Sequence, residues 1–228
     1  MIIGSGLVAS ALSRSFSGPQ CCVYAAGVSN SGCTDTSEFS RERVRLLGAL
    51  ASQAEADRFL YFGTCSVSDP GAIDSGYVRH KLAMESLVRD HPRHLILRLP
   101  QVAGRTPNPH TLLNFLHARI SRSEKFEVWE QSTRNILDID DIAMLVRYLV
   151  IDEGAVGETI SIANPLSTPV SEIVAEMVKV LGKPAVFETR ASGSSYSIDC
   201  ARVEPAVRQS GVNLHGNYLA RVLKKYYG

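Results

Sequence analysis

Short runs rich in Val, Ile, Leu and Tyr alternate along the chain with longer stretches of helical periodicity. That alternation is the pattern of βαβ units, in which a parallel sheet is covered on both faces by helices. It predicts strands over Met1 to Ile3, Cys21 to Ala26, Phe59 to Phe62 and His94 to Leu99. Helices are predicted over Leu7 to Phe16, Ser40 to Ala54 and Tyr77 to Asp90. Another helix begins near Thr168, where Thr168 can cap, Pro169 suits the first turn, and Val170, Ile173, Val174, Met177 and Leu181 form one apolar stripe. Gly182 and Pro184 stop it.

Turn-forming residues from Gly104 to Pro109 and a Ser/Gly cluster at Ser192 to Ser195 are the candidate boundaries. At 228 residues the chain suits one main core with a smaller lobe. A net charge of +1, with acids and bases interspersed, gives no electrostatic footprint for nucleic acid or for an anionic membrane. Five cysteines, Cys21, Cys22, Cys33, Cys65 and Cys200, have neither zinc-ligand nor framework spacing, and the six histidines offer no metal-binding pattern. Reduced thiols and no metal are expected. The apolar start lacks a basic leader region and is broken by Gly4 and Gly6, and no run reaches membrane-spanning length. A cytoplasmic protein is the expectation.

Gly4-Ser5-Gly6-Leu7-Val8-Ala9 matches G-x-G-x-x-G/A between a predicted strand and a predicted helix. Glycines permit the tight turn and let backbone amides approach a pyrophosphate at the helix N-terminus. A dinucleotide fold should also carry an acid about 20 residues on to hold the adenosine ribose. Here that place holds Tyr24-Ala25-Ala26-Gly27, and the first carboxylate of the chain is Asp35.

Tyr77 and Lys81 stand at i and i+4, so phenol and ammonium project from one helix face. A phenol titrating near pH ~10 is a poor base at neutral pH, and adjacent positive charge favours its ionised form. Upstream, Leu60-Tyr61-Phe62-Gly63-Thr64-Cys65-Ser66 reads as a strand running into small hydroxyl residues at its C-terminal end, where open α/β sheets place ligands.

Taken together, these segments resemble the extended short-chain dehydrogenase/reductase superfamily, in particular its NAD-dependent nucleotide-sugar epimerases, dehydratases and reductases. Leu97-Arg98-Leu99-Pro100-Gln101-Val102-Ala103-Gly104 and Thr133 to Asp141 extend the likeness over nearly the whole chain. The resemblance implies Tyr77 as acid/base, Lys81 as ribose ligand and modulator of the phenol, and Thr64 as hydrogen-bond partner of the reacting oxygen. Gly4, Gly6, Leu7, Val8, Ala25, Ala26, Gly27, Pro100 and Val102 would join Tyr77 and Lys81 around NAD or NADP. Thr64, Cys65, Ser66, Gln101, Asn108 and Arg134 would face a nucleotide sugar, with Arg134 on its diphosphate. An Arg134 paired with Asp138 or Asp140 is the competing account. The implied domains are residues 1–104 with 134–164 for the dinucleotide, and residues 105–133 with 165–228 for the substrate. Relatives often dimerise through helices of the main domain, which leaves a homodimer open.

Two departures qualify the likeness. Only Ser17-Gly18-Pro19-Gln20 links the first helix to the strand at Cys21, where relatives have two further strands. The expected fold is therefore a Rossmann-like α/β sheet lacking two strands of its adenosine half. Dehydratases of the family carry Asp-Glu after the hydroxyl residue, whereas Cys65-Ser66 follows Thr64 here. Epimerisation or ketosugar reduction is thus favoured over dehydration, with Cys65 as a speculative extra acid/base. A redox enzyme acting on another carbonyl substrate, and a non-catalytic binding or regulatory protein on the same scaffold, are the alternatives.

Overall fold

The computed structural model describes residues 1–14 and 21–228. Five strands, Ile2–Ile3, Cys21–Tyr24, Arg58–Thr64, His94–Leu99 and Glu158–Ser161, lie side by side in that order, all parallel. The first four follow the apolar runs. The fifth reads Glu-Thr-Ile-Ser, too polar and too short to stand out from the residues around it.

Alternate strand residues point to opposite faces, and each face has its own cover. On one side Val23, Leu60, Phe62, Leu95 and Leu97 join Ala11 and Leu12 of helix α1 (Leu7–Ser13) and Ile142 and Val146 of the helix Ile139–Ile151. On the other side Cys22, Tyr24, Phe59, Tyr61 and Ile96 meet Leu46 and Ala49 of α2 (Thr36–Ser52) and Met84 and Val88 of α3 (Gly76–Val88). Strands buried on both faces need no polar alternation, which is why they read as continuous apolar runs.

α1 and α2 cover opposite faces although the strands step across the sheet in one direction. In a doubly wound sheet that change of face goes with a reversal of strand order. Here the change of face is kept and the reversal is not, as expected of a sheet lacking the strands beyond Ile2–Ile3. Among the described residues Ile2–Ile3 pairs only with Cys21–Tyr24.

Capping explains where several elements start. The Asp35 side chain accepts from the Ser37 N–H at 2.8 Å, so α2 begins at Thr36, ahead of the expected Ser40. The helix expected from Thr168 runs over Val170–Leu181; Pro169 holds its N-cap position, because Thr168 is paired antiparallel with Arg134. Gly182 ends it in the left-handed region at φ 61°. The predicted end of the first helix at Phe16 and the link Ser17 to Gln20 lie outside the described residues. No helix among the described residues is long and apolar enough to cross a membrane.

The first strand leaves the sheet through Gly4, at φ 132°, where an added Cβ would stand 2.3 Å from the Ala25 carbonyl oxygen. Gly4→Ala is therefore expected to lower stability by about 2 kcal/mol or more, since neither that φ nor the backbone contact tolerates a side chain. Urea unfolding of the two proteins, compared at equal slope, measures it.

Candidate active site

At the C-terminal ends of the strands a cleft of about 1270 Å³ opens. The glycine loop Gly4 to Val8, the strand end Ala25 to Gly27, and Thr64, Tyr77 and Lys81 all line it. So do Ser66, Pro100, Gln101, Val102 and Asn108. An added Cβ on Gly6 would meet nothing within 4 Å, so this loop presents open backbone towards the cleft.

Local rules place the catalytic-type residues. Ser75 caps α3 by accepting from the Val78 N–H at 3.2 Å, which puts Tyr77 in the first turn and Lys81 one turn on. Thr64 ends its strand, and its hydroxyl accepts from the Ser66 N–H at 3.1 Å, turning the chain into the short helix Cys65–Ser68. The Thr64 hydroxyl is also near enough to the buried Tyr77 phenol to act on it. Burial pushes that phenol up, the Thr64 hydroxyl pulls it down, and the Glu42 carboxylate pushes it up again, leaving it at about 12.

Lys81 is buried and has three donors, all of them engaged. They reach Glu42 Oε1 at 3.1 Å, the Tyr61 hydroxyl at 3.2 Å and the Phe62 carbonyl at 3.4 Å. Glu42 also accepts from the Tyr61 hydroxyl at 2.8 Å and the Val28 N–H at 2.7 Å, and its Oε2 lies 2.9 Å from His80 Nε2. Since a carboxylate only accepts, His80 carries its proton on Nε2. The strand end closes over this group: a Cβ on Gly27 would lie 2.4 Å from Lys81 Nζ.

Glu42 was not among the expected site residues, yet a signal for it exists. It shares the inward face of α2 with Leu46 and Ala49, at spacings of four and three, so an acid occupies a core position. Burial pushes the Glu42 carboxyl up, but His80, Lys81, the Val28 N–H and Tyr61 outweigh it and hold it down at about 2, against an ordinary 4.5. A folded value below the unfolded one means stability that is complete above pH 4.5 and is lost as pH falls towards 2. The melting-temperature gap between the native protein and Glu42→Gln should accordingly narrow across that window.

On the substrate side the candidates separate. Cys65 is buried, absent from the cleft lining, and its thiol lies 3.3 Å from the Arg98 carbonyl. Burial pushes that thiol up to about 12, so it supplies no acid/base at neutral pH. Gln101 lies half-buried in the cleft, and Asn108 donates to Ser29 Oγ at 3.2 Å on its far side. Arg134 is not part of the cleft lining; its guanidinium donates to the Thr133 carbonyl at 2.7 Å. Asp138 and Asp140, its candidate partners, are held instead by Lys225, each at 2.7 Å. Tyr196 lines the cleft, its phenol pushed up by burial and by Asp69 and pulled down by the Arg134 charge. Tyr196 follows the Ser/Gly cluster read as an interruption, where no periodicity marks it.

No curated protein sequence matches the chain. Among solved structures it is similar to dTDP-glucose 4,6-dehydratase from Bacillus anthracis str. Ames in complex with NAD, at 16% identity and a TM-score of 0.70, covering 90% of this chain and 70% of that one. UDP-glucuronic acid 4-epimerase from Bacillus cereus in complex with NAD gives 18% and 0.70, covering 99% and 77%. RMD from Pseudomonas aeruginosa complexed with NADPH gives 17% and 0.66, covering 91% and 82%. At such identities the likeness establishes a shared fold. The sequence itself matches the model of one family over residues 4–163, a stretch that runs from the glycine loop to beyond the fifth strand, and the chain belongs to that family, the NAD dependent epimerase/dehydratase family.

Proposed function

We propose that the chain is an NAD(P)-dependent enzyme acting on a nucleotide sugar, as an epimerase or a ketosugar reductase, with Tyr77 as its acid/base. The observation that carries the reading is the meeting of Thr64, Tyr77 and Lys81 beside the glycine loop in one cleft. The residues present fit the nicotinamide-ribose end of a dinucleotide. Gly27 lets the strand end pass directly over Lys81, where a side chain would meet Nζ, and Gly6 leaves its backbone open.

A bound nicotinamide would supply a hydride acceptor, and donor, for a sugar carbon. With the cofactor bound, the positive charges of Lys81 and the nicotinamide would favour the Tyr77 phenolate, which would take the proton of the hydroxyl on that carbon, and Thr64 would orient the same oxygen. Lys81 would exchange its longest bond, that to the Phe62 carbonyl, for ribose hydroxyls. Arg134 and Tyr196 would receive the diphosphate end of the substrate, Arg134 by turning its guanidinium from the Thr133 carbonyl. Cys65-Ser66 directly follow Thr64, where the acid pair that elimination uses would stand, which favours epimerisation or reduction.

A second reading, a binding or regulatory protein that has lost its cofactor, is favoured by one observation: among the described residues no strand lies outside Ile2–Ile3 to hold an adenosine. Calorimetric titration with NAD, NADH, NADP and NADPH, followed by UDP-, GDP- and dTDP-sugars, separates the two. Micromolar binding of one dinucleotide supports the enzyme; no binding of any of the four supports the second reading.

A further inference from the structure

The buried group behind the cleft has a role of its own. We infer that Glu42 is a positioning residue that keeps Lys81 protonated: among the described residues it is the counter-charge bonded directly to an ammonium buried beneath Gly27. This rests on the reading of Tyr77 and Lys81 as the acid/base site.

A lysine removed from solvent gives up its proton unless an opposite charge is held against it. The side chains of Lys81 and Glu42 are only 4% and 1% exposed, and they meet at 3.1 Å. Three other titratable groups face or adjoin Lys81. Tyr61, from the third strand, is a neutral phenol pushed well above its ordinary range, first by burial and then by Glu42. Tyr77, one turn earlier on α3, is likewise protonated at neutral pH. Glu85, one turn later, is fully buried but already bound: Arg98 reaches its two oxygens at 2.9 and 2.7 Å, and Arg89 adds a bond at 3.2 Å. Neither phenol carries charge, and the charge of Glu85 is neutralised. Burial lowers Lys81 and Glu42 is the foremost influence raising it, in agreement with this geometry.

Glu42 is built to stay ionised for that purpose. His80, stacked on Phe39 at 4.5 Å, bonds one carboxylate oxygen together with the Val28 N–H, while Tyr61 and Lys81 bond the other. Four donors on one carboxylate favour its charged form. The pair Glu42/Lys81 is therefore an ion pair, set one helical turn from the Tyr77 phenol.

The chain has six lysines, so selective carbon-13 labelling resolves their side-chain signals, with Lys81 assigned by its loss in Lys81→Met. In the native protein Lys81 should remain protonated throughout the neutral range. In Glu42→Gln, which keeps the shape and removes the charge, its titration should move down by roughly two pH units or more. Glu42→Asp, which keeps the charge on a shorter arm, should stay nearer to native. In turnover, Glu42→Gln should lose kcat/KM roughly ten-fold per pH unit as pH rises through the lowered Lys81 value, and recover below it. An unchanged Lys81 titration in Glu42→Gln overturns the proposal, as does an Asp variant shifted further than the Gln variant. Should Glu42→Gln not fold, adding Lys81→Met should restore folding by removing the stranded amine, and a double variant that is no better folded also overturns it. Lack of dinucleotide binding alongside the expected lysine shift would count against the enzymatic reading alone.

Discussion

Tyr77→Phe is expected to lower kcat by about 10²- to 10⁴-fold while leaving the fold and dinucleotide affinity intact. The phenol lies on the first turn of α3, placed there by the Ser75 cap, and is buried near Thr64 at the mouth of the strand. Phenylalanine keeps the ring that fills this buried position and removes only the proton carrier. Loss of the phenolic hydroxyl should cost little stability, because the Thr64 hydroxyl keeps its bond from the Ser66 N–H. Circular dichroism and calorimetry on the variant, set beside its turnover, separate a chemical loss from a structural one. Native-like turnover would remove Tyr77 from the mechanism.

The largest stability effect is expected at Arg98→Met. Glu85 is wholly buried beside Gly63, and Arg98 satisfies both its oxygens from the neighbouring strand. Removing the guanidinium leaves a buried carboxylate with only Arg89, which is 44% exposed. Breaking such a pair costs about 3–5 kcal/mol, whereas replacing both partners by apolar groups costs far less. Glu85→Leu combined with Arg98→Met should therefore recover much of the loss. Denaturant midpoints for the two single variants and the double variant test the coupling, and additive losses would contradict it.

Much of this architecture was legible in the residues. Doubly buried strands announce themselves as unbroken apolar runs, and His94–Leu99 falls where its run predicts. The glycine loop, Thr64, Tyr77 and Lys81 sit in short local motifs whose spacing survives without knowledge of the tertiary structure. What was hidden depends on contacts between distant segments. Glu42 lies 39 residues from Lys81, and its importance appears only when α2 is laid against α3. Tyr196 comes to the cleft on an irregular segment, and Lys225 reaches Asp138 and Asp140 from the last helix, Tyr218–Tyr227. Arg134 lies outside the cleft lining, its strand paired with Thr168–Pro169 and its guanidinium on the Thr133 carbonyl. Cys65, adjacent to Thr64 in sequence, is turned into the core by the short helix that Thr64 caps.

The central claim is that Tyr77 and its neighbours remove a sugar hydroxyl proton as hydride leaves the same carbon. A single-turnover experiment tests it most directly: the protein is mixed with NAD or NADP and each of the UDP-, GDP- and dTDP-sugars, while the near-ultraviolet absorbance of the reduced nicotinamide is followed. The account predicts a transient or stoichiometric rise with one pairing, abolished in Tyr77→Phe at unchanged dinucleotide affinity. Saturating dinucleotide binding without reduction by any of the sugars, or a rise that survives in Tyr77→Phe, would contradict it.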